Sequence, residues 1–149
     1  MDDRIVKFIG EQTCASICCA DQPGKPYCFS CVYAFDSDEK LLYYKSSNNT
    51  RHSEILLHHP AVAGTILPDR LNMLHIIGIQ FEGIVLPADH PLAKHAPARY
   101  YKTHPLALTQ PGSIWTVQLN TLKFTDNSLG FGKKITWDRR EEIMEVSNT

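Results

Sequence analysis

The run His75–Leu86, HIIGIQFEGIVL, alternates over twelve residues. His75, Ile77, Ile79, Phe81 and Val85 share one parity, while Gln80 and Glu82 share the other. Successive side chains of a strand point to opposite faces, so this segment predicts one strand with a core face and a second face that is partly polar or at an interface. At about 3.3 Å per residue it is long enough to cross a whole barrel.

Similar patterns occupy most of the chain. TCASICCA (13–20) and PYCFSCVYAF (26–35) are β-rich and separated by DQPGK, a Pro-Gly turn, which predicts a hairpin. In its second arm Tyr27, Phe29, Cys31, Tyr33 and Phe35 share a face. LLYYKS (41–46) predicts a third strand, and AVAGTIL (61–67) a buried one. SIWTVQLNTLKF (113–124) turns Trp115, Val117 and Leu119 inward, then shifts phase to Leu122 and Phe124, which predicts a bulge near Asn120–Thr121. After the turn-like TDNSLGFG (125–132), KKITW (133–137) predicts a last strand.

Helical spacing is confined to connections. Ile5, Phe8, Ile9 and Gln12 predict a short amphipathic helix ending near Gly10, SEILLHHP a two-turn helix stopped by Pro60, and residues 90–103 a helix despite Pro97. Strands of uneven length with helices only between them predict a mainly β fold. We expect a small antiparallel barrel of six to seven strands with short flanking helices, in one domain spanning 1–149.

A net charge of −1 and a pI near 6.6 leave no basic field to hold nucleic acid or an anionic membrane. No run approaches the roughly 18 apolar residues of a membrane span. The N-terminus, MDDRIVKFIG, is acidic and lacks a long apolar region, so a soluble cytoplasmic protein is expected. The five cysteines (14, 18, 19, 28 and 31) lie in β-like segments among apolar neighbours, which predicts reduced, buried thiols. Cys28 and Cys31 are three apart and fall on opposite faces of a strand. The seven histidines form no HExxH and no Cys/His zinc spacing, so no metal site is expected.

Between the third strand and the next helix lies YYKSSNNTRHSEI, Tyr43–Ile55. Free N–H groups of a helix start, hydroxyls and an arginine together make an anion trap, for which Ser46, Ser47, Asn49, Thr50, Arg51 and His52 supply the parts. The same residues read equally well as helix capping by Asn49 or Thr50, with Arg51 solvated or paired with Glu54.

The order of the hairpin, LLYYKSSNNTRHSEIL, HPAVAGTI and a long strand carrying GIQFEG resembles the pyridoxamine 5'-phosphate oxidase-like FMN-binding split barrels. HPAVAGTI, GIQFEG and especially KFTDNSLGFGKKITW are similar to the YhbP-like branch of that superfamily, over nearly the whole chain. The resemblance implies a homodimer of split barrels with FMN in a cleft at the subunit interface. It places Ser46 and Ser47, then Thr50, Arg51 and His52, at the flavin phosphate, with His52 standing where the family usually has lysine. A neutral imidazole donates a hydrogen bond but carries no permanent charge, so phosphate affinity becomes pH-dependent. By the same resemblance Gln80 lies near the flavin ring, and Cys31 and Val32 lie on the strand whose backbone faces the isoalloxazine.

In KFTDNSLGFGKKITW, Asp126, Asn127, Gly130 and Gly132 read as a turn, while one of Lys133 and Lys134 faces a cleft and Trp137 either stacks on a ring or fills the barrel end. The C-terminal arginine and histidine segment of pyridoxamine phosphate oxidases has no counterpart after Trp137, where Arg139 and Arg140 enter a polar tail. The implied activity is therefore an FMN-dependent oxidoreductase acting on an unassigned small molecule. The alternative is a non-catalytic protein that binds a flavin, another phosphorylated ligand or a tetrapyrrole.

Overall fold

The computed structural model describes residues 1–129 and 134–147. Its elements run α1 (Asp3–Glu11), β1 (Cys14–Ala20), β2 (Pro26–Asp36), β3 (Leu41–Ser46), α2 (Arg51–His58), β4 (Ala61–Ile66), β5 (Ile77–Leu86), α3 (Ala96–Thr103), β6 (Ser113–Asp126), β7 (Lys134–Asp138) and α4 (Arg139–Ser147). Single 3-10 turns occupy Pro91–Ala93, Pro105–Thr109 and Asn127–Leu129.

The sheet order is β3-β2-β1-β4-β5-β6-β7, and an additional antiparallel pairing of β3 with β6 closes the first six strands into a barrel. Strand β6 makes this possible because it changes partner along its length. Its first half pairs with β3 from Ser113 to Gln118, its second half with β7 from Thr121 to Thr125, and β5 runs beside both. The change falls at a bulge: Gly83 pairs with Leu119 and Glu82 with Thr121, so Asn120 is the extra residue, where the shift of apolar phase predicted it. Gly83 is required there, because a Cβ on it would collide with the Gln118 carbonyl oxygen.

Alternation fills the barrel. Ile17, Tyr44, Ile66, Ile79, Phe81, Val117, Leu119 and Phe124 are buried together, and α1 covers one end with Ile5, Phe8 and Ile9. A second cluster of Ala34, Leu41, Tyr43, Ala96 and Tyr100 seats α3 on the outside of β2 and β3. Asp36 anchors this seat: its carboxylate is 2.8 Å from Arg99 Nη1, accepts from the Tyr43 hydroxyl at 3.1 Å, and caps the backbone N–H groups of Asp38 and Glu39.

Three expectations are corrected. The expected helix over 90–103 is split into a 3-10 turn and α3, because Pro97 sits in the first turn of a new helix, where its missing N–H costs nothing. The polar tail after Trp137 is helix α4, started by Asp138, which accepts from the Arg140 N–H at 2.8 Å. Arg139 secures it by donating to the carbonyls of Leu119, Glu39 and Lys40. The cysteines are not all reduced and buried. The β1–β2 register sets Cys18 opposite Cys28 and their sulfurs are bonded, while Cys14 is exposed, Cys31 half-buried and Cys19 buried. Gly130, Gly132 and Lys133 lie outside the described residues. No helix among the described residues is long and apolar enough to cross a membrane, and no cluster of three metal-ligating side chains occurs among them.

Candidate ligand-binding cleft

Strand β3 is buried on both faces until Lys45, and the chain leaves the sheet at Ser46. It then turns into α2, whose N-cap is Thr50: extended at φ −84° and ψ 154°, with Oγ1 accepting from the Ser53 N–H at 3.3 Å. The cap is part of a hydroxyl network. Thr50 Oγ1 is 2.7 Å from Ser53 Oγ, which donates to the Ser47 carbonyl at 2.7 Å, and Ser47 Oγ accepts from the Asn49 N–H at 3.3 Å. The capping reading of this stretch is thus realised by Thr50.

His52 points from the first turn of α2 back toward the sheet. Its ring stacks on Phe29 of β2, centroids 3.8 Å apart, and Nε2 lies 2.7 Å from Ser46 Oγ and 3.0 Å from Thr50 Oγ1. Burial disfavours the imidazolium and lowers its pKa, so His52 is neutral at pH 7. Residue 51 starts about 100° around the helix from residue 52, and Arg51 accordingly opens elsewhere. Its guanidinium sits 4.9 Å over the Tyr27 ring, beside a hollow bordered by Asp21, Glu54 and His58.

Ser46, Ser47 and His52 form one end of a cleft of about 350 Å³. Cys31 and Val32 of β2 line its floor, and Tyr100, Ala107, Gln110 and Pro111 its far wall. Lys45, which sequence reasoning overlooked, holds that wall in place. Its Nζ donates to the carbonyls of Ala107 at 2.6 Å and Gln110 at 2.5 Å, and stands 4.9 Å from the Tyr101 ring centroid. The wall passes close enough to β3 that Gly112 adopts φ +129°, with Ser46 O only 3.1 Å from where a Cβ would be. Burial pushes the Cys31 thiol up to about 12, so it faces the cleft as a neutral group. Tyr44, which also lines the cleft, buries a hydroxyl that has no hydrogen-bond partner among the described residues.

The remaining sequence candidates stand apart from this cleft within the chain. Gln80 is exposed on the outer sheet face, opposite Thr65 and Lys123. Lys134 is exposed at the start of β7, opposite Thr125. Trp137 packs into the barrel core and donates its Nε1–H to Glu142 Oε2 at 2.7 Å.

No family model matches the chain. It is 37% identical over 135 residues to a UPF0306 protein of Photorhabdus laumondii, across 91% of this chain and 94% of that one. The chain belongs to the UPF0306 family. Among solved structures, this UPF0306 chain is similar to a heme binding protein from Mycobacterium smegmatis, with TM-score 0.72 and 13% identity over 88% of its length, and it spans 55% of that longer protein. It is also similar to a FAD-binding protein from Mesorhizobium loti, with TM-score 0.64 and 16% identity, across 85% of this chain and 94% of that one. These likenesses show that the UPF0306 chain shares the split-barrel fold.

Proposed function

We propose that this protein binds FMN in the cleft between β2, β3, α2 and the segment after α3, and uses it as an oxidoreductase on a small molecule. The observation that carries this reading is the convergence of Ser46, Ser47 and His52 at one end of a cleft floored by Cys31 and Val32. Hydroxyls and a neutral imidazole suit phosphate oxygens as uncharged donors, and the cleft volume falls within the roughly 300–1,000 Å³ usual for small-molecule sites. Ser46 and Ser47 would hold the phosphate, His52 would orient Ser46, and the backbone of Cys31 and Val32 would lie along the ring. A bound flavin supplies two-electron chemistry, and the protein positions it. Val32, Leu106 and Leu108 are exposed, and a second copy packed against them would complete a homodimer with the cofactor at the interface. KFTDNSLGFGKKITW supports placing the chain in the YhbP-like branch of the superfamily, working in the cytoplasm.

A second reading has its own support. Arg51 rests on Tyr27 and the cradle hydroxyls already bond to one another, which suits a non-catalytic holder of a flavin, another phosphorylated ligand or a tetrapyrrole. The visible spectrum of the purified protein, with and without added FMN and then with a nicotinamide donor, tests both. Flavin absorbance that bleaches with the donor supports the oxidoreductase; flavin that binds without turnover, or a heme Soret band on titration, supports the holder. A protein with no measurable FMN affinity rules out the flavin assignment.

A further inference from the structure

We propose that Cys18 and Cys28 form a reversible redox site on the outer face of the barrel, opened by a low-molecular-weight thiol. The two residues face each other across β1 and β2, flanked by the pairs Ser16–Ser30 and Ala20–Pro26, with Cα atoms 4.2 Å apart and the sulfurs bonded. Both side chains are on the outward parity of their strands. Cys28 is exposed and Cys18 half-buried, and Cys18 borders a hollow of about 880 Å³ whose neighbouring walls are the small residues Ala20, Ala61 and Ala63. Cys28, the exposed member of the pair, presents the sulfur that an incoming thiol reaches first from solvent.

The bond is also dispensable to the hairpin. Seven residue pairs, from Cys14–Val32 to Ala20–Pro26, already join β1 and β2, and β1 is further held by β4. The cysteines are only 10 residues apart, so the loop that the bond closes in the unfolded chain is short and its entropic contribution is at the small end for disulfides. A bond so exposed and so redundant opens without unfolding what it bridges. The other thiols do not compete for it. Cys19 faces the core and donates to the Tyr27 carbonyl, Cys31 faces the inner cleft, and Cys14 lies four residues, or about 13 Å, further along β1.

In the opening step a small thiolate attacks Cys28 Sγ, the Sγ–Sγ bond breaks, and Cys18 leaves as a thiolate that takes a proton from water. A second small thiolate attacks the outer sulfur of the mixed disulfide and releases Cys28. The protein disulfide gains two electrons and two protons, and two small thiols become one small disulfide.

Alkylation of the native protein after equilibration in reduced/oxidised glutathione buffers, followed by intact and peptide mass analysis, tests the assignment. The expected result is two extra adducts, on Cys18 and Cys28 together, appearing in reducing buffers and lost again in oxidising ones, with the circular dichroism spectrum unchanged. The double variant C18S/C28S should fold and show no such couple. Two free thiols at these positions in fully oxidising buffer, or a bond that yields only in denaturant, would overturn the proposal.

Discussion

His52 lies flat on Phe29, their ring planes 11° from parallel, and this stack holds the imidazole over Ser46. Because burial lowers the His52 pKa, the folded chain binds fewer protons here than the unfolded chain does below about pH 6.5. The stability that His52 lends is present above that pH and is lost as pH falls from there toward the folded pKa. Thermal midpoints from pH 8 to 5 should decline more steeply for the wild type than for His52→Gln; parallel curves would show that the ring titrates normally.

Arg51→Ala is expected to change FMN affinity by less than about threefold, since the guanidinium stacks on Tyr27 rather than entering the cleft. Ser47→Ala removes a neutral donor and should weaken binding by about 0.5–1.5 kcal/mol. Flavin fluorescence titration measures both, and a larger loss for Arg51→Ala would reverse their assignment.

Asp36 is 2% exposed and serves Arg99, Tyr43 and two backbone N–H groups at once. Asp36→Ala strands the buried Tyr43 hydroxyl and should cost about 2–4 kcal/mol in urea unfolding. Arg140→Ala breaks only an exposed pair with Asp138 and should cost under about 0.5 kcal/mol. Equal losses would mean that Asp36 is not the anchor of α3.

A Cβ on Gly83 would strike the Gln118 carbonyl oxygen across the bulge, backbone that cannot rotate away. Gly83→Ala should destabilise by about 1–3 kcal/mol. Gly10→Ala, in α1 with nothing within 4 Å, should instead stabilise by about 0.5–1 kcal/mol. Denaturant midpoints of the two variants should move in opposite directions.

Tyr44→Phe deletes a buried hydroxyl that has no partner among the described residues. An unpaired donor forfeits hydration without a bond in return, so the variant should be as stable as the wild type or more stable, by up to about 1 kcal/mol. A calorimetric Tm lowered by several degrees would reveal a partner for that oxygen.

The barrel was legible because burial follows parity. The inward residues of β2 and β5 and the phase shift at Asn120 are visible as alternation, and alternation is what decides which face a strand buries. Helix α4 was not, since RREE carries no apolar stripe; its signal was Asp138 three residues before Glu141, a cap rather than a periodicity. The disulfide depends on which residues oppose one another, a matter of register set by the five-residue connection 21–25 and invisible to composition. At the cleft, Ser46, Ser47 and His52 line one hollow, whereas the helical phase of residue 51 carried Arg51 to another surface. Lys45 was passed over because its role is to hold a wall whose position only the tertiary fold reveals.

The pairing of β3 with β6 matches Leu41 with Gln118 and Ser46 with Ser113, closing a loop of roughly seventy residues, the kind of contact that forms late in folding. Ser46 and the wall beside Gly112 meet at the end of that seam. A ligand held there recognises only the finished barrel, so it should leave the folding rate nearly unchanged and act on the reverse process, slowing the escape of chains that have already closed.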